Sequence, residues 1–305
     1  MKRRELSLYP FDYLVIGYCL AMIILIGIFG RPLEQYADEV TFYASMMLVA
    51  LVIIRFADET QSGIQRFFRL LYPALMFTFF YRETGGSMFL LFNKFLDPQL
   101  TGFENRILGG DISIFLDKSH LTVFWNELFS ACYFAYYLMI PTFLTYLFLT
   151  RRDDSTKQFL TATCITFFVS YSLFFIYPIE GPRYYFAEQY VHQIEGPFFR
   201  QLVNLVIDNG AVRGGCMPSS HVAEALVVLV YVFRTDRKAG WLLLPVTIGL
   251  AIGTVWGRFH YIFDVVVGAA IGWGSIWIVT RFYDSWTNKT TVPVAKHELS
   301  TEHVS

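Results

Sequence analysis

Long apolar runs separated by short polar segments dominate the chain. Eight such runs lie near residues 11–30, 40–56, 68–82, 127–149, 158–178, 219–234, 240–257 and 262–281. A helix that crosses the hydrocarbon core of a bilayer needs about 20 mostly apolar residues, which most of these runs supply. The pattern therefore predicts an all-α fold, a polytopic transmembrane helical bundle with about eight spans.

Two parts of the chain fall outside these runs. Residues 82–126 carry too many polar side chains to cross a membrane, although they contain the partly apolar pieces SMFLLFNKFL and GFENRILGGDISIFL. We expect these pieces to lie on the membrane surface or to re-enter it. Residues 284–305 are mostly polar, which predicts a disordered cytoplasmic tail.

The composition supports the membrane class. The 305 residues are 55% hydrophobic and 16% charged, whereas a soluble globular domain carries about 25% charged residues. The net charge of −1 does not indicate a nucleic-acid partner. The four cysteines show neither the spacing of a zinc site nor that of a disulfide framework.

The basic residues predict the orientation, because Lys and Arg accumulate in cytoplasmic loops. With the N-terminus inside, most of the 24 Lys and Arg residues fall in the short cytoplasmic segments. Eight spans then place both termini in the cytoplasm. The polar segments YPIEGPRYY, GGCMPSSH and GRFHYIFD all fall on the extracytoplasmic side, where a folded bundle can bring them together.

The segment GGCMPSSH combines helix-start residues with a histidine. Ser219 is a good N-cap, and it places His221 in the first turn of a helix. Free backbone N–H groups and the positive end of the helix dipole make such a turn an anion site. Taken alone, the segment fits an ordinary capped helix with an interfacial histidine equally well.

The segment GRFHYIFD carries His260 and Asp264, four residues apart. If His260 begins a helix, Asp264 lies one turn on, beneath the imidazole, and orients it for nucleophilic attack. Asp264 also enters an apolar run, where a charge is costly and usually functional. The alternative is an ordinary His–Asp pair at the membrane interface.

Arg183 follows a helix-breaking Gly-Pro pair in YPIEGPRYY. A guanidinium suits phosphate oxygens. Taken alone, however, Arg183 is better explained as an arginine whose side chain extends to the membrane–water interface. Together with His221 and the His260–Asp264 pair, it gives an anion clamp, a proton donor and a nucleophile. These are the groups that phosphoryl transfer requires.

In order and rough spacing, the three segments resemble the K-x6-R-P, P-S-G-H and S-R-x5-H-x3-D blocks of the type 2 phosphatidic acid phosphatase (PAP2) superfamily, which also includes vanadium haloperoxidases. The resemblance covers residues 67–283 and implies a six-helix PAP2-type catalytic core. Residues 1–66 would then form a two-span N-terminal extension. The resemblance implies no metal and no cofactor, because the family works with cationic side chains.

The resemblance also implies a role for each matching residue. His260 would be the nucleophile that forms a phosphohistidine, Asp264 would orient it, and His221 would protonate the leaving oxygen. Arg183 and Ser219 would bind phosphoryl oxygens.

Several positions depart from the family pattern. Ile176 stands where the first block has lysine, Tyr184 replaces its proline, and Thr254 stands where the third block has arginine. Ser220 replaces the glycine of the second block and is expected in the phosphate site. Arg258 lies four residues after Thr254, on the same face if the helix continues that far, and we expect it to supply the missing charge.

The departures G-P-R-Y, P-S-S-H and T-V-W-x-R-x-H-Y-x-x-D, and the stretch ENRILGG, look like those of inositol phosphorylceramide synthases. That branch transfers a phospho-headgroup between lipids, so hydrolysis and transfer are both open, with a shared phosphohistidine step. Glu180 is a candidate contact for an acceptor hydroxyl. Glu224 either tunes His221 or, more simply, pairs with an arginine on a neighbouring helix.

The leading hypothesis is therefore a lipid-phosphate phosphatase or phosphotransferase. Its partners would be the bilayer, a lipid phosphate (phosphatidic acid, a polyprenyl pyrophosphate or a phosphoinositol lipid) and an alcohol or lipid acceptor. A transporter or channel also fits broken helices and buried charges, although such proteins usually show internal repeats, and none is evident. A silent lipid-binding protein would have no need of both histidines. Haloperoxidase activity is disfavoured, because haloperoxidases are soluble proteins.

Overall fold

The structure is a computed structural model that describes residues 8–30, 32–61, 63–119 and 121–290. These residues form an all-α fold with twelve α-helices and one isolated parallel β-bridge between Ile179 and Gly215. The helices are α1 (Pro10–Phe29), α2 (Ala37–Phe56), α3 (Gly63–Glu83), α4 (Asp97–Leu108), α5 (Ile112–Ser119), α6 (Val123–Leu149), α7 (Asp153–Ile176), α8 (Pro182–Tyr185), α9 (Phe199–Gly210), α10 (Ser220–Thr235), α11 (Arg237–Trp256) and α12 (Ile262–Thr290).

Eight long helices coincide with the eight predicted apolar runs, which confirms the all-α helical bundle. They are α1, α2, α3, α6, α7, α10, α11 and α12. Six of them are long and apolar enough to cross a bilayer, as expected of a multi-pass membrane protein. The other two are α3 and α10, the latter with only 16 residues. Eight spans therefore stay a prediction.

Ion pairs mark one end of the bundle. Arg66 in the first turn of α3 pairs with Asp153 at the start of α7, and Arg69 pairs with the buried Asp12 near the start of α1 at 2.6 Å. Because successive long helices run in opposite directions, three connecting segments meet at the other end, where the candidate site lies: residues 84–122, 177–219 and 257–261.

Helices α10 and α12 approach each other closely through two glycines. A Cβ at Gly268 would lie 2.3 Å from the carbonyl oxygen of Ser219, and a Cβ at Gly272 would lie 2.5 Å from that of Ala223. Small residues four apart let helix backbones come together in membranes. The contact holds the start of α10 against the first turns of α12, and so brings two of the predicted site segments together.

The segment 82–126, whose apolar pieces were expected on the membrane surface or re-entrant, includes the end of α3 and the start of α6, and its described residues between these two helices form a loop followed by α4 and α5. The backbone N–H of Leu96 donates to the carbonyl of Pro178 over 2.8 Å, which ties this segment to the one after α7. Three carboxylates here are buried, namely Asp97, Glu104 and Asp117. Each accepts backbone hydrogen bonds from other segments at the same end of the bundle.

Helix α9 was not predicted. Its start is fixed by Glu127 of α6, whose carboxylate accepts hydrogen bonds from the backbone N–H groups of Phe198, Phe199 and Arg200. A carboxylate at the first turn is favoured both by the free N–H groups and by the helix dipole. Helix α12 continues to Thr290, seven residues into the stretch expected to be a disordered tail, and residues 291–305 lie outside the described residues.

Candidate active site

The first turn of α10 is built as the sequence predicts. Ser219 is the N-cap, and its hydroxyl accepts a hydrogen bond from the backbone N–H of Val222. The backbone N–H of Ser219 donates to the carbonyl of Asp264 over 2.9 Å, which joins α10 to α12 directly. His221 is the second residue of the helix, close to the positive end of its dipole.

The structure brings the two predicted histidines together. The ring centroids of His221 and His260 lie 5.8 Å apart, with an angle of 59° between the planes. Nε2 of His221 is 3.2 Å from the hydroxyl of Tyr133, and its buried Nδ1 has no hydrogen-bond partner among the described residues. Two imidazoles at this spacing can flank one small tetrahedral group.

His260 and Asp264 are also in contact, but His260 lies in a different position relative to the helix from the one expected. The helix begins at Ile262, so His260 precedes it and is not its first residue. Nδ1 of His260 lies 3.5 Å from Oδ2 of Asp264. The carbonyl of Thr254 accepts hydrogen bonds from the N–H groups of Phe259 and His260, at 2.9 and 3.1 Å, and so holds the imidazole in place.

Cys216 is a third partner of this pair. Its thiol donates to Oδ2 of Asp264 over 2.9 Å and lies 3.6 Å from Nδ1 of His260. The three donor atoms lie within 4.8 Å of one another, a grouping that could accommodate a metal ion. A cysteine binds metal as the thiolate, but burial, followed by the nearby Asp264 carboxylate, raises the pKa of Cys216 well above its usual value. The arrangement therefore favours a hydrogen-bonded thiol.

Arg183 lies in α8, on a loop that packs against the His260 segment. Asp97 accepts hydrogen bonds from the N–H groups of Glu180 and Gly181, at 2.8 and 2.9 Å, which fixes the loop. Gly181 has φ +98° and packs so tightly that a Cβ would lie 2.9 Å from the sulfur of Cys216. Nη2 of Arg183 donates to Asp208 of α9 over 2.9 Å, and its buried Nη1 has no partner among the described residues.

The expected geometry of Arg258 is wrong. Helix α11 ends at Trp256, so Thr254 and Arg258 do not share a helical face, and Arg258 adopts φ +64°. Nη2 of Arg258 donates to the buried Asp117 over 2.6 Å and to the carbonyl of His192 over 2.9 Å. Its charge is therefore neutralised by a carboxylate of α5, which the sequence could not show.

Glu180, Glu224 and Thr254, the remaining candidates from the sequence, each form a hydrogen bond or an ion pair within the protein. Glu180 forms an ion pair with Arg213. Glu224 accepts a hydrogen bond of 2.7 Å from the hydroxyl of Thr163 in α7, so its neighbour is not the arginine that was expected. The hydroxyl of Thr254 donates to the carbonyl of Ala251 over 2.8 Å, within its own helix.

The ENRILGG stretch contributes Glu104. Its carboxylate accepts a hydrogen bond of 2.8 Å from the backbone N–H of Phe263, in the first turn of α12. Burial raises the pKa of Glu104 to about 7, despite the backbone donor that lowers it. Glu104 thus supports the turn that carries Asp264.

A cavity of about 630 Å³ lies between α3, α6, α7 and α9 and reaches the first turn of α10. Ser220 and His221 line its polar end, and the other lining residues are mostly aliphatic and aromatic. On α3 the lining runs from Phe67 to Tyr81, which is roughly 21 Å along the helix axis. Half of the hydrocarbon core of a bilayer is about 15 Å thick, so the cavity is long enough for the depth of one leaflet.

Two residues at this site were missed by sequence reasoning. Tyr133 of α6 contacts His221, and Arg200 of α9 is buried beside Phe259. Arg200 is the second residue of an amphipathic helix, with Val203 and Ile207 buried on the same face at i+3 and i+7. That apolar spacing could have predicted α9, although nothing in it points to the chemistry of Arg200.

Comparison with known proteins finds one similar protein and one matching family. A PA-phosphatase related-family protein of Dictyostelium discoideum is 28% identical over 123 residues, which cover 39% of this chain and 22% of the relative. The chain thus spans well under two thirds of that relative. No solved structure matches the chain. The profile of the PAP2 superfamily matches residues 100–278, more than half of the chain and all of its candidate site, and the protein therefore belongs to the PAP2 superfamily.

Proposed function

We propose that the protein is an integral membrane lipid-phosphate phosphatase or phosphotransferase that works through a phosphohistidine on His260. The observation that carries this proposal is the pair of imidazoles, with centroids 5.8 Å apart, one of which, that of His221, lines the polar end of an apolar cavity. The imidazoles suit a phosphoryl group, and the cavity suits the hydrocarbon chain attached to it. A water-soluble phosphate ester would leave this apolar space unused.

The contacts of His260 suggest which nitrogen attacks. Because Nδ1 lies beside Asp264, Nε2 carries the free lone pair, and the carboxylate stabilises the positive charge that develops on the ring. Nε2 forms a bond to phosphorus while the bond from phosphorus to the leaving oxygen breaks. His221 gives its proton to that oxygen. In the second step an acceptor hydroxyl loses its proton to His221 and attacks phosphorus, which releases His260.

The negative charge on the phosphoryl oxygens must be stabilised by hydrogen-bond donors. Arg183 offers a buried Nη1 with no partner among the described residues, and the first turn of α10 offers backbone N–H groups. Ser220 lines the cavity beside His221, whereas Ser219 is fully buried and its hydroxyl already caps the helix. We therefore assign the direct phosphate contact to Ser220, with Ser219 shaping the turn.

The acceptor decides between the two reactions. Water gives a phosphatase, and an alcohol gives a phosphotransferase similar to the inositol phosphorylceramide synthases. Both use the same first step, so both are part of the proposal. The positive-inside distribution of Lys and Arg supports a site on the extracytoplasmic side with both termini in the cytoplasm.

The test uses purified protein in phosphatidylcholine vesicles with labelled phosphatidic acid, a polyprenyl pyrophosphate or a phosphoinositol lipid, each with and without a long-chain alcohol. Release of free phosphate identifies hydrolysis, and a new labelled lipid identifies transfer. Denaturation in SDS at alkaline pH should trap a label on the protein that is stable to alkali and lost in acid, and His260→Ala should abolish it. His192→Ala is the matched control, since its side chain is 59% exposed and lies outside the site.

Turnover that survives His260→Ala would contradict the mechanism. No turnover and no trapped label with any of the three lipids would favour a silent lipid-binding protein. Vesicle-to-vesicle movement of an intact lipid phosphate would favour a transporter.

A further inference from the structure

We propose that Arg200 is a phosphate-binding residue of this site and supplies the positive charge that Ile176 fails to provide in the first sequence block. The inference rests on the proposed function, because it assigns a further group to the same phosphoryl site. Arg200 lies in α9, outside the three motif segments, and only the fold brings it near them.

The first observation is a buried guanidinium that lacks hydrogen bonds. Arg200 is 8% exposed, and its buried Nε and Nη1 have no hydrogen-bond partner among the described residues. A charged group removed from water without an ionic partner is strongly destabilising. Because Nε and Nη1 donate from different edges of the guanidinium, an anion at either edge would supply an acceptor to one of them together with the adjacent Nη2.

The second observation is where the guanidinium lies. Its central carbon is 5.4 Å from the centre of the Phe259 ring, and Phe259 directly precedes His260. The Phe259 ring lies 4.7 Å from that of Tyr133, whose hydroxyl contacts His221. Two aromatic rings, Phe259 and Tyr133, therefore connect Arg200 to His221, and the first of them belongs to the residue that precedes His260.

The third observation concerns the charges around it. Burial, and then the nearby Arg183 and Arg258, lower the pKa of Arg200 to about 10. Arg183 pairs with Asp208 and Arg258 pairs with Asp117, so two of the three guanidinium groups have a carboxylate partner. Asp208 also acts on Arg200 and raises its pKa, so three guanidinium groups share two carboxylates, and the net positive charge of the cluster attracts an anion.

The backbone of Arg200 is held in place independently of any ligand. Its N–H donates to Glu127 over 3.0 Å, and Glu127 belongs to α6, which also carries Tyr133. The helix that presents the guanidinium is thus anchored to the helix that contacts His221. Groups held by rigid elements bind an anion with little further ordering cost.

The experiment measures binding of orthovanadate, a phosphate mimic, by its effect on thermal unfolding, separately from turnover. We compare wild type, Arg200→Gln, Arg200→Lys and, as the control, Arg106→Gln, an exposed arginine of α4. Arg200→Gln should weaken vanadate binding about 10- to 100-fold and raise KM for the lipid phosphate by a similar factor. Arg200→Lys should recover part of the loss, and Arg106→Gln should change neither.

The unfolding midpoint without vanadate separates this role from a structural one. Removing an uncompensated buried charge should leave that midpoint unchanged or raise it, whereas loss of a structural contact would lower it. An Arg200→Gln protein with wild-type vanadate affinity and KM would overturn the inference while leaving the proposed function intact. A wild-type protein that neither binds vanadate nor turns over any lipid phosphate would defeat both.

Discussion

The thiol of Cys216 donates a hydrogen bond of 2.9 Å to Oδ2 of Asp264. The same oxygen lies 3.5 Å from Nδ1 of His260 and also accepts the backbone N–H of Tyr261 over 2.8 Å. One carboxylate oxygen therefore contacts three groups. The orientation of the carboxylate toward the imidazole of His260 depends on its hydrogen bonds with the Cys216 thiol and the Tyr261 N–H.

The first prediction follows from this shared oxygen. Cys216→Val keeps the approximate size of the side chain but removes the donor, so Asp264 should lose part of its orientation, and kcat should fall about 10-fold. Cys216→Ser retains a donor and should stay within about 3-fold of wild type. Equal kcat for the two variants, measured on the same lipid phosphate, would show that the thiol only fills space.

The second prediction concerns the close contact between α10 and α12. Gly268→Ala places a methyl group 2.3 Å from the carbonyl oxygen of Ser219, so the helices must separate and His221 must move away from His260. We expect a loss of about 1–3 kcal/mol in stability and a fall in activity of at least about 10-fold.

Gly274→Ala is the matched control for this change. It lies on the same helix, and an added Cβ would meet no atom within 4 Å. Its activity should therefore equal that of wild type, and its unfolding midpoint should be equal or slightly higher, because alanine favours a helix more than glycine does. A Gly268→Ala protein indistinguishable from Gly274→Ala in both measurements would refute the packing argument.

The third prediction concerns the cavity. Ala74 lines it on α3, so Ala74→Phe should fill part of the space for a hydrocarbon chain. KM for a long-chain lipid phosphate should rise about 10-fold, because about two methylene groups would lose their apolar contacts, each contributing about 0.8 kcal/mol. A short-chain analogue that does not reach Ala74 should be unaffected.

Leu138→Phe serves as the control, since Leu138 is 55% exposed on α6 and does not line the cavity. It should change KM for neither substrate. If Ala74→Phe affects long and short chains alike, the cavity does not hold the lipid chain.

The fourth prediction is a pH dependence from Glu104. Its pKa is raised from 4.5 to about 7 by burial, so between these values the folded protein holds a proton that the unfolded chain has lost. The contribution of Glu104 to stability is therefore present at low pH and is lost as the pH rises through about 7.

Thermal unfolding between about pH 5 and pH 8 tests this sign. The midpoint of wild type should fall as the pH rises, and Glu104→Gln should remove part of that slope. Glu188→Gln, at an exposed position, should leave it unchanged. A slope that Glu104→Gln does not alter would mean that Glu104 is ionised throughout.

The long apolar runs sufficed to predict all eight long helices, because an apolar segment inside a bilayer must satisfy its own backbone hydrogen bonds and therefore forms a helix. The N-cap at Ser219 was predictable for a similar reason, since capping depends on neighbours within three residues. The pairing of His260 with Asp264 followed from a spacing of four, although the helix starts later than that spacing assumed.

The topology predicted that the three motif segments meet, but the individual side-chain partners across distant segments could not be predicted. The partner of Arg258 is Asp117, and that of Glu224 is Thr163; each pair joins elements that are far apart in sequence. Arg200 belongs to the same class, because its proximity to Phe259 depends on how α9 folds over the end of the bundle. Local sequence patterns carry no information on such distances.

The short length of α10 has a consequence for the choice of acceptor. With 16 residues it is about 24 Å long, less than the roughly 30 Å of the hydrocarbon layer. If α10 crosses the bilayer as predicted, we expect His221, at its start, to lie below the headgroup plane and beneath the segment of residues 177–219. A second reactant would then reach the imidazoles past this segment, so we expect the segment, and not the imidazoles, to select between water and a bulkier alcohol.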